Sequence, residues 1–431
     1  MPNLNPNSTN YFHTYEPNTN DLTMAMDYDV NGQPIIRTSL TDVDKTSSGR
    51  LKISNKVIVF SNTFQFSKQP DVWDETVTAD ASSTNNPLQS SVKLAVSATP
   101  GSKVVRQTKN VMHYVPGRSA EFNMVSTNVS VGPGHRARIG VFDEKNGVFF
   151  ERGVEGDLWV VVRSNVTGTP VDTRVRRTDF NIDKLDGTGP SGIVNKVGTI
   201  RTLHIEYEWY GAGDVEFSFI INGVKHPLHR FTFSNVINTS WCSTPFNPIR
   251  VELENLSATA PALLEQYSTS YSLEGEMRSL GVPKITGIPL PGVNIPDVLV
   301  FRPVISLRLK STQLNAVAFI EEIQGFTTSN SFMVFRLVRN ATINATTWTD
   351  HQTTESAIQV NTDATTFSGG TVVALGVVPQ NGRPYILDEN NGTFQIGRNT
   401  LGTASDVYTL LFASATNNAT ALGTIRWREV R

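Results

Sequence analysis

The sequence predicts an all-β protein built from two antiparallel β-sandwiches, and three observations predict it. Apolar and polar residues alternate with the period of two that a half-buried strand shows. Gly, Asn and Asp clusters cut the chain into short, regularly spaced segments, and a helical period is almost absent. The alternation is clearest between residues 198 and 255, which read as one uninterrupted β-meander. There Leu203, Ile205, Tyr207 and Trp209 are apolar while His204, Glu206 and Glu208 are polar. Gly211 and Gly213 break the run, and Val215, Phe217, Phe219 and Ile221 resume it. Asn222-Gly223 is the pair that most readily takes the positive φ angles of a two-residue hairpin, and a third strand returns through Leu228, Phe231 and Phe233. A meander of this kind buries one face and needs a second sheet to pack on.

The remaining elements follow in chain order. Residues 1–50 are polar and lack a period, which predicts an extended docking arm whose order must come from a neighbouring chain or domain. From Gly49 to Phe66 the pattern turns strand-like through Val57, Val59 and Phe64. A polar loop is expected from Asp80 to Asn86, then strands at residues 91–96 and 103–106. Three more strands are expected between Glu121 and Val162, with a tight turn at residues 143–147. Only Pro261-Ala262-Leu263-Leu264-Glu265 hints at a short helix. Prolines and glycines gather between residues 281 and 303, which predicts a semi-rigid linker and closes a central domain spanning 51–280. Beyond it, residues 304–309, 332–337, 370–378 and 409–412 supply strands of a second sandwich, 304–431, that closes on Ile425-Arg426-Trp427-Arg428-Glu429.

Composition bounds the function. The chain has 431 residues, 39% of them hydrophobic and 18% charged, with a formal net charge of -2 and no Lys/Arg run. That near-balance gives no electrostatic argument for nucleic acid or an anionic membrane. No stretch approaches the roughly 18 apolar residues of a membrane span, and the Asn-rich start is unlike a signal peptide, so a soluble, unprocessed protein is expected. The single cysteine, Cys242, excludes an internal disulfide and a Cys-based zinc site, and leans towards assembly in a reducing cytoplasm. Nine Asn-x-Ser/Thr sequons, among them Asn128, Asn165, Asn340 and Asn344, are what a chain rich in Asn and Thr produces by composition alone.

Several segments, taken in order, carry a family resemblance. They are Gly49-Arg50-Leu51-Lys52-Ile53-Ser54, then Val105-Arg106-Gln107-Thr108 leading into Tyr114-Val115-Pro116-Gly117-Arg118-Ser119, and Arg138-Ile139-Gly140-Val141-Phe142-Asp143. The run from Asn181 through Asp186-Gly187-Thr188-Gly189-Pro190 to Gly192, the 209–219 meander, Pro248-Ile249-Arg250-Val251-Glu252 and the close on Arg426-Trp427-Arg428-Glu429 complete the set. Together they resemble a family of virion structural proteins of tailed bacteriophages, with distant relatives in large DNA viruses. The resemblance implies a concanavalin-like, jelly-roll sandwich for the central domain. It further implies a non-enzymatic virion component, tail-, fibre- or baseplate-associated, with a capsid- or neck-surface fibre as the alternative position. The partners implied are other virion proteins through the arm and further copies of the chain in a symmetric oligomer. Localisation in the virion, after assembly in the host cytoplasm, follows from the same resemblance, and no cofactor is expected.

Glu206 and Glu208 share a strand face, the spacing a sandwich glycosidase uses for its two carboxylates, yet a solvated outer face explains them equally well. No Gly-x-Ser-x-Gly elbow occurs. Asp179, Asp183 and Asp186, followed by Gly187, put three hard oxygen ligands in eight residues and are candidates for calcium, although the spacing is not that of an EF-hand. The favoured reading is that Asp183 and Asp186 satisfy backbone N–H groups in a Gly-rich turn. His226 and His229 are expected to point to opposite faces and to make a poor chelate. Trp159, Trp209 and Trp241 are candidates for a sugar-stacking platform in a carbohydrate-binding module that recognises a host-surface glycan, against the more frequent role of large aromatics in a core.

Overall fold

The computed structural model describes residues 23–28, 34–39, 46, 52, 55–127, 131–196, 198–275, 281–345, 347–380, 385–388 and 394–430, with 23–28, 34–39 and 385–388 described as backbone. It is all-β, as the alternation predicts. In the central domain a seven-stranded sheet has the order Val171–Arg176, Leu158–Ser164, Gly147–Arg152, His135–Phe142, Pro248–Asn255, Lys103–Val111, Trp73–Thr78. Facing it, an eight-stranded sheet runs Val224–Phe231, Val215–Ile221, Arg201–Tyr207, Ala120–Thr127, Ala262–Glu274, Ser91–Val96, Ser82–Asn86, with Lys56–Asn62 added against Ala262–Glu274. All the strand pairs are antiparallel, so successive side chains alternate between core and outer face. The core is filled by Ile139, Val141, Phe150, Val160 and Val251 from one sheet and by Phe122, Leu203, Ile205, Phe217 and Tyr271 from the other. Near one end of the sandwich, Arg106 is wholly buried between the sheets. Its Nε donates to Gln266 Oε1 at 3.0 Å on the facing sheet, its other nitrogens reach Glu75 and the Lys68 carbonyl, and Phe64 and Trp73 flank the guanidinium.

The expected hairpin is present: Val215–Ile221 pairs with Val224–Phe231 through Asn222-Gly223, both in positive φ. The meander is shorter than the sequence reading made it. After Phe231 the chain leaves the eight-stranded sheet, and Pro248–Asn255 is an interior strand of the other one, between His135–Phe142 and Lys103–Val111. Two further expectations are corrected. The polar loop at 80–86 is in part an edge strand, Ser82–Asn86, which pairs by backbone with Ser91–Val96 and needs no apolar face. The hinted helix at 261–265 is the start of the thirteen-residue strand Ala262–Glu274, whose pairing with three neighbours overrides the helical preference of Ala-Leu-Leu-Glu. The arm expected at 1–50 lies largely outside the described residues; within it, Thr23–Tyr28 and Pro34–Ser39 pair as antiparallel strands.

The C-terminal domain is a second sandwich of two six-stranded sheets. Trp427, Leu410, Phe412, Leu307 and Ile320 fill its core. The 281–303 segment is extended, as its prolines require, but it is not a free spacer: Val282–Gly287 and Val293–Ile295 both pair with the long final strand Ala419–Val430 and belong to the second sandwich. The two sandwiches are also braced against each other. Arg398 of the second forms a buried ion pair with Asp143 of the first. Arg250 Nη1 donates to the Thr400 carbonyl at 2.7 Å, and the Gln395 amide side chain bonds the backbone of Val111 on both sides, accepting at 2.6 Å and donating at 3.2 Å. His113 stacks on Phe319 across the same boundary, ring centroids 5.7 Å apart.

Candidate functional site

Three places concentrate chemistry, and the first is the outer face of the eight-stranded sheet. Because Glu216, Glu206, Glu121 and Ser272 are in register on four adjacent strands, three carboxylates stand abreast. Like charges directly opposite one another destabilise a sheet unless cations intervene. Here they do. Lys52 Nζ lies 2.9 Å from Glu121 Oε1 and 2.7 Å from Glu206 Oε2, and Lys56 Nζ lies 2.7 Å from Glu121 Oε2. Lys225 bridges Glu206 at 3.4 Å and Glu216 at 3.3 Å, and Arg230 pairs with Glu216. Ser119 Oγ donates to Glu206 Oε1 at 2.8 Å, and His204, held by Asn123 at 2.9 Å, stands 3.9 Å from the same carboxylate.

This overturns the expectation of a solvated face. Glu206 and Glu208 are each only 1% exposed. Burial by itself would raise the carboxyl of Glu206; His204 and the ammonium groups of Lys52 and Lys225 outweigh it and hold Glu206 well below the usual carboxylate range. Burial and the flanking lysines act on Glu121 in the same opposed way, with the same downward result. Lys52, which burial would depress, is lifted above its ordinary value by Glu206 and Glu121. Beside the row lies a groove of about 420 Å³ lined by Ser61, Asn123, Thr202, Thr269 and Ser270, without an aromatic ring. Chemically, the row can brace the sheet. General-acid catalysis needs a carboxyl that keeps its proton near neutral pH, and Glu121 and Glu206 are held ionised instead.

The second place is the Asp-rich turn. Asp183 is buried and its two oxygens accept from the backbone N–H groups of Leu185 at 2.8 Å and Ser191 at 2.9 Å; burial would raise its carboxyl, and these bonds pull it down instead. Gly189 packs so close that a Cβ there would lie 2.3 Å from Asp183 Oδ1. Asp186 caps the turn by accepting from Thr188 N–H at 2.9 Å and Oγ–H at 2.6 Å. Asp179 ends a short 3-10 turn apart from both. Among the described residues no three acidic, His or Cys side chains converge as metal ligands, so the structure does not bring the three Asp candidates together. His229 is likewise a core ring, edge-on to Phe231 at 4.6 Å, with its Nδ1 accepting from Asn181 N–H.

The three tryptophans separate. Trp241 is buried, stacked on Phe233 at 5.6 Å and edge-on to Tyr207 at 6.4 Å, so it is a core residue and not a sugar platform. Trp159 lies on the outer face of the seven-stranded sheet with Phe142 and Phe149, but the Arg174 guanidinium covers its ring at 4.3 Å. Trp209 is the candidate that meets a cavity. It is half-buried, its indole N–H donates to the Cys242 carbonyl at 3.3 Å, and it lines a cleft of about 490 Å³ between the sandwiches. Tyr114, Trp209 and Phe246 form the central-domain wall; Thr312, Gln313 and Asn315 face them from the C-terminal domain. Sequence reasoning missed this cleft, as it missed Glu121, Glu216, Lys52, Lys225 and Arg230, because each assembly joins residues far apart in the chain and no local spacing signals it.

No family model and no curated protein matches the chain. About half of it is similar to solved structures of low identity: a legume lectin-like domain from Entamoeba histolytica (10% identical, 50% of this chain and 97% of that one, TM-score 0.31), a Bacillus licheniformis β-glucanase (11%, 49% and 96%, 0.31) and an endo-β-1,4-glucuronan lyase from Trichoderma reesei (10%, 51% and 96%, 0.31). The chain is an all-β protein of two antiparallel β-sandwiches. These likenesses say nothing of a substrate, so function has to be argued from the sites.

Proposed function

We propose that the protein is a non-enzymatic structural component of a tailed-phage virion, tail-, fibre- or baseplate-associated, that acts by assembling into a symmetric oligomer. The virion assignment rests on the ordered segments from residue 49 to 252 that resemble that family. The observation that carries the non-enzymatic part is the state of the carboxylate row: Glu121, Glu206 and Glu216 are all engaged by Lys52, Lys56, Lys225 and Arg230. A face built this way stiffens a sheet. The bracing of the two sandwiches through Arg398–Asp143 and Gln395–Val111 suits a part that transmits load as one body. The test is quantitative mass spectrometry of purified particles. A fixed, stoichiometric copy number supports the proposal; absence of the chain from particles refutes it.

One observation favours a second reading, carbohydrate binding. The Trp209 cleft combines aromatic faces with an amide and hydroxyl rim, the pairing that suits the apolar face and hydroxyls of a neutral sugar ring. Glycan-array binding that is lost in Trp209→Ala supports it, and an array without hits counts against it.

A further inference from the structure

Arg152 closes the strand Gly147–Arg152 of the seven-stranded sheet, and Arg201 opens the strand Arg201–Tyr207 of the sheet facing it. Side chains alternate along a strand, so Arg152 shares its side with Phe150, and Arg201 shares its side with Leu203 and Ile205, all three of them core residues. Both guanidiniums therefore project between the sheets, where they line one pocket with Ile139, Phe150, Leu203 and Phe219. Arg152 is anchored through Nε, which donates to the Val131 carbonyl at 2.6 Å. Arg201 is anchored by the turn before its strand, through the Asn195 side chain and the Lys196 carbonyl, and its guanidinium lies over the Phe219 ring at 5.4 Å. Both terminal nitrogens of Arg152 and the Nε of Arg201 have no acceptor among the described residues.

What this end of the sandwich lacks is a negative charge. Arg106, Arg138, Arg163, Arg230 and Arg250 of the same domain each hold a carboxylate, whereas Arg152 and Arg201 hold none among the described residues. The acids nearest to them are engaged elsewhere: Glu151 by Arg138 and Arg174, and Asp157 by Arg176. Burial and the charge of Arg152 both depress the guanidinium of Arg201, and burial depresses Arg152 against the pull of Asp157. Two like charges held together beside apolar walls are costly, and an anion between them removes the cost.

We propose that this end of the central sandwich is a binding site for a small oxyanion, its oxygens seated between the guanidiniums of Arg152 and Arg201. The guanidinium fork sets the chemistry, because its N–H groups match two oxygens of a carboxylate or of a phosphate. The pocket sets the size: its volume of about 30 Å³, at ~10–15 Å³ for each water-sized atom, admits two oxygens and no bulky body. The site shares no lining residue with the Trp209 cleft and needs no second copy of the chain, so it stands whether or not the assembly reading does.

The test is thermal melting of the full chain at pH 7 with sodium phosphate and, separately, sodium acetate, each against sodium chloride at matched ionic strength. The expected result is a melting temperature that rises saturably, by roughly 5 °C at a hundredfold excess over the dissociation constant. A rise with phosphate alone assigns the site to phosphates, one with acetate alone to carboxylates, and one with both to their shared chemistry. Arg152→Gln should lose the rise. Neither anion exceeding chloride, or an equal rise in Arg152→Gln, overturns the proposal. If that variant does not fold, isothermal titration of the natural chain against Arg201→Lys, which keeps the charge and loses the planar fork, decides in its place. Weaker binding of the same anion by Arg201→Lys supports the site, and unchanged binding overturns it.

Discussion

Lys52 shows how a single residue can decide the meaning of a site. Without it, Glu206 and Glu121 would be opposed carboxylates on adjacent strands; with it, they are halves of one buried ion cluster. Lys52→Met should therefore lower the unfolding free energy by about 3 kcal/mol, the low end for breaking a buried pair, because Lys56 and Lys225 remain to share the charge. Urea denaturation checks this, and an unchanged midpoint contradicts it. Buried, ion-paired carboxylates on both sheets set the acid limit of the protein. Burial opposes ionisation of Glu252 on the other sheet, yet Arg250, Lys103 and Arg138 pull its carboxyl down to about 2, and Glu121 and Glu206 shift in the same direction. Carboxyls depressed on folding contribute their stability in full above the unfolded value, about 4.3, and lose it as pH falls towards the folded value. Stability should thus be flat from neutral pH to about 5 and fall steeply below about 4. Glu252→Gln should make that fall shallower, as thermal melts across pH would show. None of this partnership was legible in the sequence. The alternation of Leu203 to Tyr207 puts Glu206 on the face away from the core, but whether that face is wet depends on Lys225, 19 positions away, and on Lys52, 154 positions away.

At the scale of elements, what was legible is what carries its own local signal. The Asn222-Gly223 hairpin and the strands around it could be read because their apolar positions repeat every second residue and the turn demands positive φ. Ser82–Asn86 could not, since an edge strand held by backbone bonds has no apolar side to display. The 281–303 segment was read as a linker from its prolines, which an edge pairing also tolerates. Nothing local foretold that the two sandwiches meet. Their contact yields its own prediction. Arg398→Ala leaves the Asp143 carboxylate buried without its guanidinium, and calorimetry should show one melting transition broadening or splitting in two as the C-terminal sandwich uncouples. A single transition at the original temperature would mean that the ion pair does not couple the sandwiches. The Asp-rich turn gives the opposite expectation: since Asp183 and Asp186 are spent on backbone N–H groups, excess chelator should leave the melting temperature unchanged, and a fall would revive the calcium site.

For the whole molecule, the structure combines a β-sandwich, whose outer face is laced with ion pairs, and a second β-sandwich braced against it. The Trp209 cleft between the sandwiches keeps a binding role testable. The carboxylate row held by lysines and arginine and the braced domains are what the building-block proposal rests on. Cryo-electron microscopy of the intact particle tests that claim most directly. The account predicts this chain at a defined symmetric position, with its 1–50 segment against another virion protein and copies of the chain in contact with one another. A particle map with no density for the chain, or with isolated copies that touch no other virion protein, would contradict it.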